Sequence, residues 1–464
     1  MRRVQPAVRA AGAAAVLLLL AACGGAGGPT PPLGASARSA EFMHGIRHRA
    51  SSGKIQHVVI IVQENRSFNN LFYGYPGATT ATYGYDTHGK KIVLAPVGLE
   101  TGWDISHAAA DFFAACDGSG SLPGTDCRMD GFDKESWSCG KSGDPPCPNK
   151  NPPYSYVPHS ETKPYFEMAK QYVLADQMFA SNFDASSFVS HQYIIAGQAM
   201  DSVNYPIGMW GCEGGSGDTI SMLTSKRKIS GSEQACFDDD SLGAELDNAG
   251  LPWAFYTTNL FGTQNLGAIW SAYQANKSVY YGSDWKTDIS TPQTNFFSDV
   301  SAGKLRSVSW VTPTWTNSDH AGAGSATGPS WVASLVNAIG ESKYWDSTAI
   351  FIFWDDYGGW FDPVAPALVD YDGLGVRLPM LIVSPYAKKG YVSETPFEHG
   401  SILRFTEDQF GLPRLSASDS RANSPAGDCF DFSKPPRKFH PIRAKLDKAY
   451  FLRQPPDRTP PDTE

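Results

Sequence analysis

Positive charge is scarce in this sequence. There are 38 Lys and Arg against 47 Asp and Glu, giving a formal net charge of -9 and a pI near 5.6. No basic stripe interrupts that balance, which argues against nucleic acid as a partner. Charged residues of both signs make up only 18% of the chain, and no internal repeat is present. No CxxC pair occurs, which disfavours a zinc ribbon. No G-x-S-x-G elbow occurs either, which disfavours the serine hydrolases built on it. Gly, Pro and aromatic residues are plentiful (45 Gly, 33 Pro, 12% aromatic), as suits a compact secreted protein with many loops. At 464 residues the chain can bury a large core, in one domain or two.

Long apolar runs are scarce as well. The run at the start, Ala10 to Ala22 behind Arg2 and Arg3, is too short to span a membrane and reads as a secretory signal. It closes Leu20-Ala21-Ala22-Cys23-Gly24, which resembles a bacterial lipobox. The resemblance implies cleavage before Cys23 and diacylglycerol on its thiol. The alternative is an ordinary signal with an A-x-A-like cleavage. Residues 1–22 are thus expected to be a signal peptide, and 23–53, rich in Gly, Ala and Ser, a lipid-anchored flexible tether. The expected location is the cell envelope, on the periplasmic or outer-membrane face, with full secretion as the alternative. Seven further cysteines in an exported chain invite disulfides. Sequence proximity suggests 116–127, 139–147 and 212–236 with Cys429 left over, although sequence alone does not determine pairing.

The chain then alternates between strand and helix patterns. Val58-Val59-Ile60-Ile61-Val62 is apolar on both faces, as in a strand buried in a parallel sheet. Further strands are expected over Trp253–Thr257, Ser307–Val311, Ala349–Trp354 and Met380–Ser384. Helices are expected over Trp103–Phe113, Tyr165–Met178, Phe188–Ala199, Leu242–Ala249, Trp331–Ile339 and Ser401–Phe410. Residues of about 114–164 are dense in Cys, Pro and Gly and read as a disulfide-stapled insertion. Residues 54–415 form the expected α/β catalytic domain with a mainly parallel sheet, and 416–464 a Pro-rich, partly ordered tail.

In such sheets ligands sit beyond the carboxyl ends of the strands. The first strand delivers Glu64 and Asn65 there, and the strand from Ala349 delivers Asp355 and Asp356 ahead of Gly358-Gly359. The strand from Ser307 leads to Asp319 and His320. Clustered carboxylates repel unless a cation or a shared proton relieves them, and Glu, Asn and Asp oxygens suit a divalent metal of unspecified identity. A nucleophile is expected at a helix start facing that rim, and Asp184-Ala185-Ser186-Ser187-Phe188 fits. Such serines also serve as N-caps, while free N–H groups there bind phosphate. Ser187 and His191, four apart, would share a helix face.

Seven segments resemble, in order, those of the bacterial phosphoesterase family. That family holds phospholipases C, plant non-specific phospholipases C and Francisella-type acid phosphatases. The segments are Glu64-Asn65-Arg66-Ser67-Phe68; Met129-Asp130-Gly131-Phe132; Tyr172-Val173-Leu174-Ala175-Asp176 with Phe179-Ala180-Ser181; and Ser187-Phe188-Val189-Ser190-His191-Gln192. After them come Trp354 to Asp362; Val376-Arg377-Leu378-Pro379 with Val383-Ser384-Pro385; and His399 to Phe405. The resemblance spans about residues 55 to 415. It implies an alkaline-phosphatase-like fold with the sheet flanked by helices, and hydrolysis of phosphate esters, phospholipid or soluble. It implies a divalent metal held by Glu64, Asn65, Asp355 and Asp356, and Ser187 as nucleophile through a phosphoseryl intermediate, with Ser186 the alternative. It gives His320 and His107 the tasks of binding phosphate or protonating the leaving oxygen. The chain departs from the family pattern at Asn69-Asn70, Ala321 and Pro363, and on this reading His191 and His399 are structural. The competing reading is a catalytically silent surface-binding lipoprotein on the same scaffold.

Overall fold

A computed structural model describes residues 53–260 and 268–460. The expected signal segment, and all of the expected tether but Gly53, lie outside the described residues. Among those described, no helix is long and apolar enough to cross a membrane.

A nine-stranded sheet organises the molecule. Its strands in chain order are β1 (His57–Gln63), β2 (Val173–Phe179), β3 (Trp253–Tyr256), β4 (Ile289–Ser290) and β5 (Val308–Val311), then β6 (Thr348–Trp354), β7 (Arg377–Val383), β8 (Tyr391–Ser393) and β9 (Phe397–Glu398). They lie in the order β4-β3-β5-β1-β6-β7-β2-β8, with β9 also on β2. Only β7 runs against its neighbours; the other pairings are parallel. β1 consists almost wholly of β-branched residues, which favour the pleated strand. It is buried on both faces from Val58 to Gln63, as a strand covered by helices on each side must be. The expected mainly parallel α/β sheet is the observed one.

The helices used below are α1 (Phe68–Phe72), α2 (Ala109–Cys116), α3 (Lys163–Gln171), α4 (Ser187–Ala196), α5 (Gly328–Gly340) and α6 (His399–Phe410). α3 packs against α5 and α4 against α6. The three suggested disulfides are those observed, Cys116–Cys127, Cys139–Cys147 and Cys212–Cys236, and Cys429 is buried and free.

Three expectations are corrected. The stretch Tyr165 to Met178 is not one helix: α3 stops at Gln171, and Val173–Phe179 is β2, hydrogen-bonded to β7 and β8. Pairing in the middle of a sheet overrides the helical pattern of the sequence there. The helix expected at Trp103–Phe113 begins only at Ala109, so Asp104 and His107 lie on extended chain, where Ile105 bridges Trp137. The C-terminal stretch is docked onto the body rather than partly ordered. Four of its apolar residues, Phe430, Phe439, Ile442 and Phe451, are buried against the body. Its backbone is also held: Asn337 bonds both the Ile442 N–H (2.8 Å) and its carbonyl (2.9 Å), and Trp345 Nε1 donates to the Arg437 carbonyl (2.6 Å).

Several segments that carry the family resemblance turn out to build the scaffold. Arg377 of β7 is wholly buried; it contacts Asp362 through Nε (3.0 Å) and Asp176 of β2 through Nη1 (3.2 Å). Asp362 also accepts the Asn69 N–H at 3.0 Å. One buried guanidinium thus ties together the chain after β6, the strand β2 and the start of α1. A buried pair of this kind fixes an arrangement more than it adds stability.

α6 buries another acid, Glu407, 2.7 Å from Arg414 Nη1. Burial first, and then the charge of Asp419, push Glu407 up to about 9, with Arg414 pulling the other way. The folded protein therefore keeps a proton that the unfolded chain releases above about 4.5. The resulting stability is lost as pH rises toward 9. Buried His191, His320 and His399, held down at about 3, act in the opposite sense only below their ordinary 6.5. Thermal melts should therefore show a midpoint falling from pH 6.5 to 9, and Glu407→Gln should flatten that fall and raise the midpoint at pH 8.5 by a few degrees. A variant with the wild-type slope would remove Glu407 as the cause.

Candidate active site

The register of the central strands brings the two acidic segments together. Gln63 lies opposite Trp354, so β1 and β6 end level and their next residues leave the sheet side by side. The Asp355 N–H donates to the Gln63 carbonyl (3.0 Å), and the Asn65 N–H to Asp355 Oδ1 (3.3 Å). Asn65 sits at φ 54°, a left-handed conformation that Asn tolerates better than most side chains. The glycines after the acidic pair are required sterically. Gly358 has φ 59°, and a Cβ on it would lie 2.2 Å from the Asn65 carbonyl oxygen.

Ser187 enters from α4. Ser186 is the N-cap: its Oγ accepts from the Val189 N–H (3.4 Å) and donates to the Asn204 carbonyl (2.8 Å). Its neighbour Ser187, the first residue of the helix, turns its Oγ to Asp356 Oδ2 and Asn65 Nδ2, each at 3.4 Å. All ten residues of α4 are buried, polar ones included. Polar side chains are rarely enclosed in this way without partners, and here the partners are the strand ends.

Asn65 Nδ2 also lies 2.8 Å from His107 Nε2 and 3.3 Å from Asp356 Oδ2. The other ring nitrogen of His107 is 2.6 Å from the Ile105 carbonyl. A carbonyl can only accept, so Nδ1 carries the proton and Nε2 accepts from Asn65. His320 stands further out. Its ring centroid is 6.0 Å from that of His107, it packs against Trp270 and Trp315, and its Nδ1 is 3.8 Å from Asp104 Oδ2. Burial lowers it to about 3. Its loop is positioned from β1: Arg66 Nε donates to the Asp319 carbonyl (2.8 Å), and Tyr165 donates to Asp319 Oδ2 (2.6 Å).

Glu64, Asn65, Asp355 and Asp356 are all fully buried, and burial raises Asp355 above the usual carboxylate range. Asn65 Oδ1 and Asp355 Oδ2 make no hydrogen bond among the described residues. Buried acceptor oxygens of this kind suit a hard divalent cation. His191 joins them, with Nε2 3.0 Å from Glu64 Oε1 and 3.8 Å from Asp355 Oδ2. Burial keeps its imidazole neutral, so it too can offer a lone pair. Ligand atoms of Glu64, His191 and Asp355 lie within 4.8 Å of one another. The sequence reading left His191 as structural; its spacing of four from Ser187 was the available signal. Tyr205, whose Oη is 3.3 Å from the Ser187 amide nitrogen, carries no sequence signal at all.

Residues 55–413 match the Phosphoesterase family. The chain is 24% identical to a non-hemolytic phospholipase C of Burkholderia pseudomallei over 416 residues, covering 77% of this chain and 55% of that protein. It is 24% identical to the non-hemolytic phospholipase C of Pseudomonas aeruginosa over 456 residues (87% and 61%). It is 22% identical to phospholipase C B of Mycobacterium tuberculosis over 446 residues (85% and 80%). The chain thus spans little more than half the length of the first two relatives. Among solved structures, a Vibrio parahaemolyticus protein in the alkaline phosphatase superfamily aligns with a TM-score of 0.37 at 10% identity, over 84% of this chain and 79% of that one.

Proposed function

The chain belongs to the phosphoesterase family, and from that premise we propose that it hydrolyses phosphate esters by a metal-assisted route with Ser187 as nucleophile. The observation that carries the reading is the Ser187 hydroxyl, at a helix start and 3.4 Å from both Asp356 and Asn65. Glu64, Asn65, Asp355 and Asp356 would hold the metal, with His191 a further donor on the Glu64 side. A divalent cation bound there lowers the pKa of a neighbouring hydroxyl and neutralises charge on phosphoryl oxygens.

Ser187 Oγ attacks phosphorus as the bond to the leaving oxygen breaks, and its proton passes to Asp356 Oδ2. The Ser187 N–H at the start of α4, which donates to the Tyr205 phenol at 3.3 Å in the free protein, is placed to meet a phosphoryl oxygen. The leaving alkoxide takes up the serine's proton from Asp356, on the side lined by His107 with His320 behind it. Water then attacks the phosphoserine, the P–Oγ bond breaks, Ser187 regains its hydrogen from that water, and the water's oxygen leaves with the phosphate. Three relatives are named phospholipases C, which supports a phospholipid substrate; a soluble phosphomonoester needs no different chemistry at phosphorus.

The test is an assay of the purified protein on p-nitrophenyl phosphate and on phosphatidylcholine, with and without chelator. Turnover of at least one, lost with chelator and restored by a divalent salt, is expected. No turnover of any phosphate ester would leave the silent binding lipoprotein as the better reading. Export and a lipid anchor on Cys23 belong to the same proposal, resting on Arg2 to Gly24. Mass spectrometry of the mature N-terminus checks them, and an unmodified Cys23 would sink the anchor.

A further inference from the structure

Tyr205 reaches the cluster from outside every motif that carries the family resemblance. It follows the short strand Ser202–Val203, which pairs with Thr219–Leu223 in a small three-stranded sheet. Its phenol oxygen lies 3.3 Å from the Ser187 amide nitrogen and 3.4 Å from His107 Nε2. The direction of the first bond is fixed by chemistry. The amide can only donate, so the phenol oxygen accepts from Ser187, while the lone pair of His107 Nε2 is already engaged by Asn65 Nδ2 at 2.8 Å.

The position is built rather than incidental, because the residue before Tyr205 is tied to both neighbouring helices. The Asn204 N–H donates to Asp184 Oδ2, and its carbonyl accepts from Ser186 Oγ at the cap of α4. Its side-chain oxygen accepts from the Ala109 N–H (3.2 Å) at the start of α2, two residues after His107. Asn204 takes a left-handed φ of 64° to make these bonds. The Tyr205 ring is thereby delivered between the serine and the histidine.

The N–H of Ser187 is one of the donors that a helix start leaves without an intrahelical partner. A phosphoryl group under attack by Ser187 Oγ would bring one of its oxygens to that donor, where the phenol oxygen now sits. We infer that Tyr205 is a catalytic residue whose hydroxyl donates to a non-bridging phosphoryl oxygen as negative charge builds there; the inference rests on the reading of Ser187 as nucleophile. The phenol occupies the oxygen's place in the free protein. On substrate binding it shifts aside, gives up the Ser187 N–H to the phosphoryl oxygen and turns its own hydrogen to that oxygen. No proton is transferred, so Tyr205 stabilises charge and is not a general acid.

The test compares wild type, Tyr205→Phe and Tyr205→His in the whole chain, on p-nitrophenyl phosphate and on glycerol phosphate. The first has a leaving group that needs no protonation and the second one that does. Loss of one donor to a developing oxyanion should lower kcat/KM of Tyr205→Phe by about 10–100-fold. The loss should fall on kcat, be equal for both substrates, and leave the melting temperature and the metal requirement unchanged. Tyr205→His, which keeps a donor, should recover part of the rate. Wild-type kinetics in Tyr205→Phe would overturn the inference and leave Ser187 in place. A loss confined to glycerol phosphate would overturn it in favour of a leaving-group acid. A wild type inactive on both esters would overturn it together with the reading it rests on.

Discussion

Ser187→Ala is expected to lose at least about 10³-fold of whatever phosphate-ester turnover the wild type shows, whereas Ser186→Ala keeps its rate within roughly tenfold. The two serines are adjacent and both buried, yet the backbone sends them in different directions. Ser186 is still in extended conformation, and its Oγ is committed to Val189 and Asn204. Ser187 has entered the helix and faces Asp356 and Asn65. Removing the Ser186 hydroxyl takes away a cap worth about 1 kcal/mol, which should appear as a lower melting temperature. Removing the Ser187 hydroxyl takes away the attacking atom. Steady-state kinetics of the two variants decide the matter, and if Ser186→Ala proves the inactive one, the nucleophile has been assigned one residue too late.

The second large effect is expected from Asp355→Asn, with opposite signs in two measurements. Activity should fall by about 10²–10³-fold, because a metal-site carboxylate is replaced by a weaker neutral donor. The melting temperature of the chelator-treated protein should nevertheless rise. Glu64, Asp355 and Asp356 are buried together, and without a cation their mutual repulsion and lost hydration oppose folding. An isosteric amide relieves part of that. With a divalent salt the order should reverse, since only the wild type gains the full stabilisation that binding to the folded state confers. Melts of both proteins in chelator and in Mg²⁺, Mn²⁺, Ca²⁺ or Zn²⁺ test this. A wild type indifferent to every cation, together with a variant less stable than wild type in chelator, would rule out a metal at this rim.

How much of this was legible in the sequence depended on the kind of signal. β1 and β6 are unbroken apolar runs buried on both faces, so their existence and the polar residues ending them could be read directly. Their being neighbours could not, because register is a property of the folded sheet. β2 was hidden because Tyr165 to Met178 carries a helical spacing that pairing with β7 overrides from Val173 onward. The docked C-terminal stretch was missed because its apolar anchors are few and far apart. His191 looked like a core histidine, since a single imidazole does not reveal which carboxylate it will face. Tyr205 lay beyond sequence reasoning altogether. Its place follows from Asn204 bonding to two helices at once, and nothing in the spacing of residues 202–206 encodes that.

The side-by-side placement of β1 and β6 also bears on when this molecule can first act. Glu64 and Asn65 are synthesised early and Asp355 and Asp356 late, and the two acidic segments meet only when Thr348–Trp354 has slotted in beside His57–Gln63. On the proposed reading, a polypeptide that ends before Thr348 would lack half of the metal site. Competence would then arrive with closure of the sheet.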